Sequence, residues 1–282
     1  MTAIADVRTA PRRAPIRRIV ALRPVGRGGR PTLAITAATG GGLIGLWFLV
    51  SSLRLASPLF LPRPDEVVTQ FIAVATDGYA NATLFEHVEA SLARVMSALL
   101  LAAAAGIPVG LLMGMNRWVK GVLDAPIGFY WPLPPLAYLP LMIIWLGIGE
   151  VSKVLLLTLA MFAPICLSAQ AGVRSVSVER VNVALSLGAG RGQLFRDIVF
   201  PSALPEILTG LRISVGIGWG TLVAAELIAA RRGIGYMIMS ASEFLATDVV
   251  FVGIIVIAAC AFAFSAAMRG LEHWLVPWKG KS

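Results

Sequence analysis

Residues 249–268 read VVFVGIIVIAACAFAFSAAM, twenty consecutive residues without a charged side chain. A helix of about 20 apolar residues crosses the hydrocarbon core of a bilayer, because a backbone in lipid must satisfy its own hydrogen bonds. The rest of the chain agrees with this segment. Of its 282 residues, 57% are hydrophobic and 14% are charged, whereas soluble domains carry about a quarter charged residues. The sequence therefore predicts an all-α membrane protein.

Six segments have the length and composition of a membrane span. The third contains five prolines, among them Pro132, Pro134 and Pro135, so a continuous helix cannot run through it. Irregular backbone at membrane depth is tolerated only where protein or a water-filled cavity receives the freed polar groups. If the protein moves a molecule across the membrane, this segment is the best candidate for lining the path. A kink that makes no contact with a transported molecule would explain the prolines equally well. The predicted spans are residues 32–53, 92–115, 123–149, 154–173, 213–230 and 249–268.

The basic residues favour a cytoplasmic location for both ends of the chain. The net charge is +9, and eight arginines precede the first span in segment 1–31, a tail that we expect to be disordered. Cytoplasmic segments carry an excess of Lys and Arg. A basic soluble domain would raise nucleic-acid binding, but charges placed beside spans favour membrane topology, so no nucleic-acid partner is predicted. Arg231 and Arg232 do not fit, because six spans put them outside.

Neither a metal site nor an active site is predicted. Cys166 and Cys260 lie in apolar stretches, as small core residues do, and His87 and His273 are isolated in the sequence. The pattern Gly-x-x-x-x-Gly-Lys-Ser/Thr, which cradles nucleotide phosphates, is absent. We therefore expect that the chain binds no cofactor itself and is not an enzyme.

The segment between the fourth and fifth spans, residues 174–212, is amphipathic and contains five arginines. Gly188 and Gly190 should break it into two short helices, 178–187 and 191–199, and Pro201 should end the second. A short helix after Pro64 is also predicted, from apolar residues near helical spacing. A helical projection between two spans offers a surface that a partner protein could bind.

The spacing inside this projection resembles the signature of binding-protein-dependent ABC importer permeases. That signature reads Glu-Ala-Ala, three residues, Gly, nine residues, then Ile-any-Leu-Pro. The chain departs from it at Asn182, Val183 and Phe200, so a contact that needs the glutamate carboxylate does not carry over. The residues assigned by resemblance to the ATPase-coupling loop are Asn182, Val183, Ala184, Leu185, Gly188, Ala189, Ile198 and Pro201.

The resemblance implies a type I ABC importer transmembrane domain over residues 32–282, in the bacterial inner (plasma) membrane. It further implies ATPase subunits that bind ATP and magnesium, a periplasmic or lipid-anchored substrate-binding protein, a second permease copy and surrounding lipid. Segments such as 243–250 (EFLATDVV) are similar to the nitrate, sulfonate and taurine branch, which implies a small sulfonate such as taurine as cargo. Alkanesulfonate and nitrate stay open. A secondary transporter is disfavoured, because the centres of the spans lack acidic and basic residues.

Individual path residues are harder to choose from the sequence. Glu226 ends an apolar run, where an ionisable group is costly unless it is paired or hydrated, and Arg231 and Arg232 are near enough in sequence to be its partners. The sequence shows no convergent polar cluster that would recognise a sulfonate. The candidate path residues are Trp131, Pro134, Pro135, Tyr138, Gly218 and Glu226.

Overall fold

The computed structural model describes the backbone of residues 30–277 and the side chains of residues 34–227 and 230–277. The predicted tail, 1–31, therefore lies outside the described residues apart from its last two. Contacts divide the chain into two units, one ending at Leu49 and the other beginning at Val50. The described part of the first unit consists of helix α1 (Arg30–Ser52) up to Leu49, and this helix is apolar enough to cross a membrane over Ala34–Ser52.

The second unit is helical throughout, and no strand occurs in the described residues. A 3-10 turn, Pro135–Tyr138, precedes α5, and a π turn, Leu194–Val199, precedes α9. The helices are α2 (Pro64–Thr76), α3 (Leu84–Met115), α4 (Arg117–Tyr130), α5 (Leu139–Leu146), α6 (Glu150–Arg174), α7 (Val178–Ser186), α8 (Arg191–Gln193), α9 (Phe200–Ala229), α10 (Ile234–Glu243) and α11 (Thr247–Leu275).

The predicted spans are confirmed as helices of membrane-crossing length and composition. Within the described residues, α1, α3, α6, the stretch Arg191–Leu227 and α11 qualify singly, and α4 with Pro135–Leu146 qualifies as a bent pair. The helices begin before the predicted boundaries. At the start of α3, the Thr83 hydroxyl accepts from the Glu86 backbone N–H at 3.3 Å while Glu86 accepts from the Thr83 N–H at 2.8 Å. This capping box lets α3 begin with polar turns before its apolar part. The predicted boundary rests on apolar residues alone, so it misses these turns.

The proline-rich third span is interrupted, as predicted. Helix α4 ends at Tyr130, and the chain bends by 92° before it continues through the 3-10 turn into α5. Prolines cannot donate the backbone hydrogen bonds that a helix interior requires. The segment is therefore two short helices joined at an irregular corner.

Helices α3, α6 and α9 pack together and form the core of the second unit. Two glycines of α3 face α6: a Cβ atom at Gly110 would overlap the carbonyl oxygen of Cys166, and one at Gly106 would come within 3.1 Å of Ile165. They form a stripe of small residues along α3. Small residues allow two helix backbones to approach closely where no hydrophobic effect drives them together. The stripe therefore sets the distance between α3 and α6.

The prediction that Pro201 ends the second loop helix is wrong. Helix α8, the π turn and α9 follow one another without a break, and Pro201 is the second residue of α9. In the π turn the Phe200 N–H bonds to the carbonyl of Phe195, five residues back. This wider turn gives the proline ring the space that a regular α turn denies it, and proline is tolerated in a first helical turn.

Replacing Gly110 by Ala should destabilise the protein by about 1–3 kcal/mol, because the added methyl group forces α3 away from α6. Gly121→Ala is the matched control, since a Cβ atom at Gly121 meets nothing within 4 Å. The measurement is the thermal midpoint of the purified protein in detergent, followed by size-exclusion chromatography. Equal midpoints for the two variants would contradict the close α3–α6 contact.

Candidate functional site

Helix α7 forms a projection between α6 and α9, and its end has a specific backbone geometry. Gly188 has a φ of +82°, a region that residues with a side chain rarely adopt. The Ala189 N–H bonds to the carbonyl of Ala184 at 3.0 Å, and the Gly188 N–H bonds to that of Leu185 at 3.0 Å. These two bonds form a Schellman motif, which satisfies carbonyls at the helix end. A glycine is therefore needed at position 188, because the turn that ends α7 requires a positive φ there.

Helix α7 and its C-cap residue, Leu187, expose several apolar side chains. Val183 is 61% exposed, Leu185 51% and Leu187 83%, whereas Ala184 is buried. A cluster of exposed apolar side chains on one element is typical of a surface that binds another protein or a membrane. Of the other residues predicted for the coupling loop, Asn182 is exposed, Ala189 is half-buried, Ile198 lies in the π turn and Pro201 is the second residue of α9. Helix α7 contacts the π turn, so the structure joins both halves of the predicted signature.

Four predicted path residues come together at the corner of the broken span. Trp131, Pro134, Pro135 and Tyr138 line one cavity of about 200 Å³, which Leu159 of α6 also lines. The corner is thus open to a small volume beside the core. Whether cargo passes there stays a prediction.

The two remaining path candidates lie elsewhere. A Cβ atom at Gly218 would overlap the side chain of Met161, so Gly218 serves close packing between α9 and α6 in this conformation. Glu226 belongs to a separate cluster near the end of α9. The six predicted residues therefore do not form one continuous lining here.

Glu226, on α9, is completely buried and is held by partners from two other helices, α3 and α10. Its carboxylate accepts from the Ser91 hydroxyl at 2.8 Å, from the Arg94 guanidinium at 2.5 Å and from the Gly235 backbone N–H at 2.8 Å. The last bond places the carboxylate at the N-terminus of α10, where the helix dipole favours a negative charge. The expected partners Arg231 and Arg232 are wrong, because the ion pair is made with Arg94.

Arg94 connects this carboxylate to the start of α6. Its guanidinium pairs with Glu150 through two nitrogens, at 2.5 and 2.8 Å, and also donates to the carbonyl of Arg232 at 2.8 Å. Glu150 in turn accepts from the ammonium of Lys153 at 2.7 Å. Arg94 is 5% exposed and Lys153 is 2% exposed. We call Arg94, Glu150, Lys153 and Glu226 the ion cluster.

The loop between α9 and α10 is fastened over the ion cluster by its backbone. The Ile234 N–H donates to the Ser91 hydroxyl at 2.9 Å, and the Gly233 N–H donates to Nδ1 of His87 at 3.1 Å. Nδ1 therefore accepts, and Nε2 carries the proton that it donates to the Tyr79 carbonyl at 2.9 Å. A Cβ atom at Gly233 would come within 2.5 Å of the Glu226 carboxylate. Only glycine fits there.

Sequence reasoning missed this cluster, because Arg94 and Glu226 are 132 positions apart. A usable signal existed. Arg94 lies near the start of α3, Glu150 at the start of α6 and Glu226 near the end of α9. These three helix ends lie on the same side of the bundle. Buried charges require partners, so ionisable residues at matching depths of neighbouring spans are candidates for pairs.

Comparison with known proteins adds independent findings. The family profile described as "binding-protein-dependent transport system inner membrane component" matches residues 106–279. The taurine transport system permease protein TauC of Escherichia coli is 55% identical over 240 residues, covering 85% of this chain and 87% of that protein. The putative aliphatic sulfonates transport permease protein SsuC of Bacillus subtilis is 36% identical, covering 84% of each.

A solved structure is similar in fold. A chain from the inward-facing MetNI methionine ABC transporter superposes with a TM-score of 0.59 at 17% sequence identity, covering 68% of this chain and 95% of that one. At this identity the likeness concerns the fold alone. It supports the arrangement of the spans of the second unit.

Arg94→Met should lower the free energy of unfolding by about 3–5 kcal/mol, because it leaves the Glu226 carboxylate buried without a counter-charge. The double variant Arg94→Met, Glu226→Gln should regain part of that loss. Arg63→Met, which removes an exposed partner of Asp65, should change stability by at most about 1 kcal/mol. Thermal or denaturant unfolding in detergent measures all three. Additive losses in the double variant would rule out the buried ion pair.

Proposed function

This chain belongs to the family of binding-protein-dependent transport system inner membrane components, and we propose that it carries a small sulfonate, taurine foremost, across the inner membrane. In this proposal it is the permease subunit of an ATP-binding cassette importer. The observation that carries the proposal is α7: an exposed apolar helix closed by Gly188 at the spacing of the family signature. The cargo rests on the 55% identity to a taurine permease.

The orientation follows from the basic residues of the projection. Arg174 ends α6, and Arg180, Arg191 and Arg196 lie between α6 and α9. Short cytoplasmic loops carry an excess of such residues. We therefore assign α7 to the cytoplasm and the ion cluster to the outer side. Both termini are then cytoplasmic, and the outer side is where a substrate-binding protein delivers its cargo.

ATP is hydrolysed by partner subunits, which hold the nucleotide and magnesium. Helix α7 is the surface on which each ATPase subunit docks, with Val183 and Leu187 as apolar contacts. Closure of the ATPase pair would move α7, and the unbroken helical path through the π turn would transmit that motion to α9. At 30 residues, α9 is about 45 Å long. One end of α9 thus adjoins the ATPase contact and the other carries Glu226.

Transport itself requires a path with two alternating openings. A second copy of the chain completes the translocation domain, and rigid-body motion of the spans opens it to one side at a time. The corner of the broken span, with Trp131 and Tyr138, is the segment that we assign to the lining. Irregular backbone at membrane depth is tolerated only where protein or a water-filled cavity receives the freed polar groups, and a transport path supplies such a cavity.

A second cargo has a specific observation in its favour. Two relatives named as aliphatic sulfonate permeases, from Bacillus subtilis and Escherichia coli, are each 36% identical to this chain. Alkanesulfonates share the sulfonate group with taurine and lack its ammonium. Competition between the two in one uptake assay separates these cargoes.

The function is tested by uptake in proteoliposomes that contain this chain and its ATPase, with the binding protein added outside. Radiolabelled taurine should accumulate only when ATP and all three proteins are present, and unlabelled ethanesulfonate should compete less well than unlabelled taurine. Nitrate should not compete. Accumulation without ATP would instead indicate a secondary transporter.

Leu187→Asp should abolish co-purification of the ATPase subunit, because a charge on α7 would be buried unpaired in the contact. The matched control is Phe244→Asp, which places the same charge on another exposed apolar residue, 78% exposed, at the opposite end of the bundle. That variant should retain the ATPase. If Leu187→Asp binds the ATPase as wild type does, α7 is not the docking surface.

A further inference from the structure

The structure contains a cavity that the sequence analysis did not anticipate. Its volume is about 860 Å³, and it opens beside the ion cluster at the outer ends of α3 and α6. Pockets that bind small molecules commonly measure about 300–1,000 Å³. Four cationic side chains line it, together with one carboxylate. They are Arg94, Lys153, Arg231, Arg232 and Glu150.

The charges around the cavity do not balance. The carboxylates of Glu150 and Glu226 offset Arg94 and Lys153 within the ion cluster, and Glu86 pairs with Arg232 at 3.6 Å. Among the described side chains, Arg231 has neither an ion pair nor a hydrogen bond. One positive charge therefore remains, at the rim, where a monovalent anion would compensate it.

The floor of the cavity also has free hydrogen-bond donors. The ammonium of Lys153 carries three N–H groups, and the described structure gives it one acceptor, Glu150. Because Lys153 is 2% exposed, water reaches this ammonium only from the cavity. Buried donors normally find acceptors, so the floor is suited to a ligand with several acceptor oxygens. A sulfonate has three.

We propose that this cavity is the outer receiving site for the sulfonate group of the cargo, with Arg231 at the rim and Lys153 at the floor. The inference rests on the proposed function, because the outer location follows from the assigned orientation. The site deepens that function by naming the group that the permease recognises. It also explains why Arg231 and Arg232 stand on the outer side against the positive-inside tendency.

A small anion fits these observations better than a carboxylate on the surface of the binding protein. Two of the four cations, Arg94 and Lys153, lie below the surface with at most 5% exposure, where a flat protein contact would not reach. The cavity is also larger than one taurine molecule requires. Binding should therefore be weak and reversible, which suits a site that must release its cargo onward.

Saturation-transfer NMR on the permease–ATPase complex in phosphatidylcholine nanodiscs, without the binding protein, tests the site directly. Taurine and ethanesulfonate should each give a signal, whereas ethanolamine, which lacks the sulfonate, should not. Arg231→Gln should weaken sulfonate binding by about threefold, as expected for one exposed charge contact. Arg231→Lys should largely preserve it. Arg63→Gln removes an outer arginine that does not line the cavity and should leave it unchanged.

The inference is wrong if neither sulfonate gives a signal, if ethanolamine gives an equal signal, or if Arg231→Gln binds sulfonate as wild type does. It is also wrong if Arg231→Gln binds sulfonate normally but has a lower affinity for the binding protein, because the cavity would then be a contact surface for that protein. ATP-dependent uptake by the wild type separates this inference from the proposed function. If taurine uptake is normal but no sulfonate binds in the cavity, the permease assignment holds and the proposed binding site is wrong. If sulfonates bind in the cavity but taurine is not taken up, the binding site holds and the proposed function is wrong.

Discussion

The carboxylate of Glu226 has no exposed surface, and one end of the helical bundle is arranged around that constraint. A charge removed from water costs several kcal/mol unless it is paired and fully hydrogen-bonded. Arg94 supplies the counter-charge, Ser91 and the Gly235 N–H supply the remaining bonds, and Gly233 leaves room for the carboxylate. Helices α3, α9 and α10 must therefore meet at one point. Arg94 also pairs with a second carboxylate, that of Glu150, which brings the start of α6 to the same place.

The opposite end of the bundle is organised by backbone geometry instead of charge. The Schellman motif at Gly188 ends α7 sharply, and the π turn before Pro201 lets the chain run on into α9 without a break. The helical path that runs without a break from Arg191 into α9 begins just after this sharp end, and α7 contacts the π turn within that path. A rigid connection is what a subunit needs if an event at its cytoplasmic face is to affect its outer face.

The sequence predicted what depends on local pattern and missed what depends on contacts between distant segments. The spans, the helix after Pro64 and the interruption at Pro132 follow from composition, apolar periodicity and proline stereochemistry. Pro201 was misjudged because a π turn has no recognisable sequence pattern. The partner of Glu226 was assigned to its neighbours in sequence, since apolar periodicity does not show how α3 and α9 align. The cationic cavity was missed for the same reason.

In the proposed orientation, the loaded binding protein at the outer face of this permease controls ATP hydrolysis by the subunits bound at α7. The most direct test measures ATP hydrolysis by the assembled complex in proteoliposomes, with the binding protein added empty or loaded with taurine. The account predicts a low basal rate that rises when the loaded binding protein is present, and no rise when Leu187→Asp removes the ATPase contact. Hydrolysis that proceeds at the same rate with and without the loaded binding protein would contradict it.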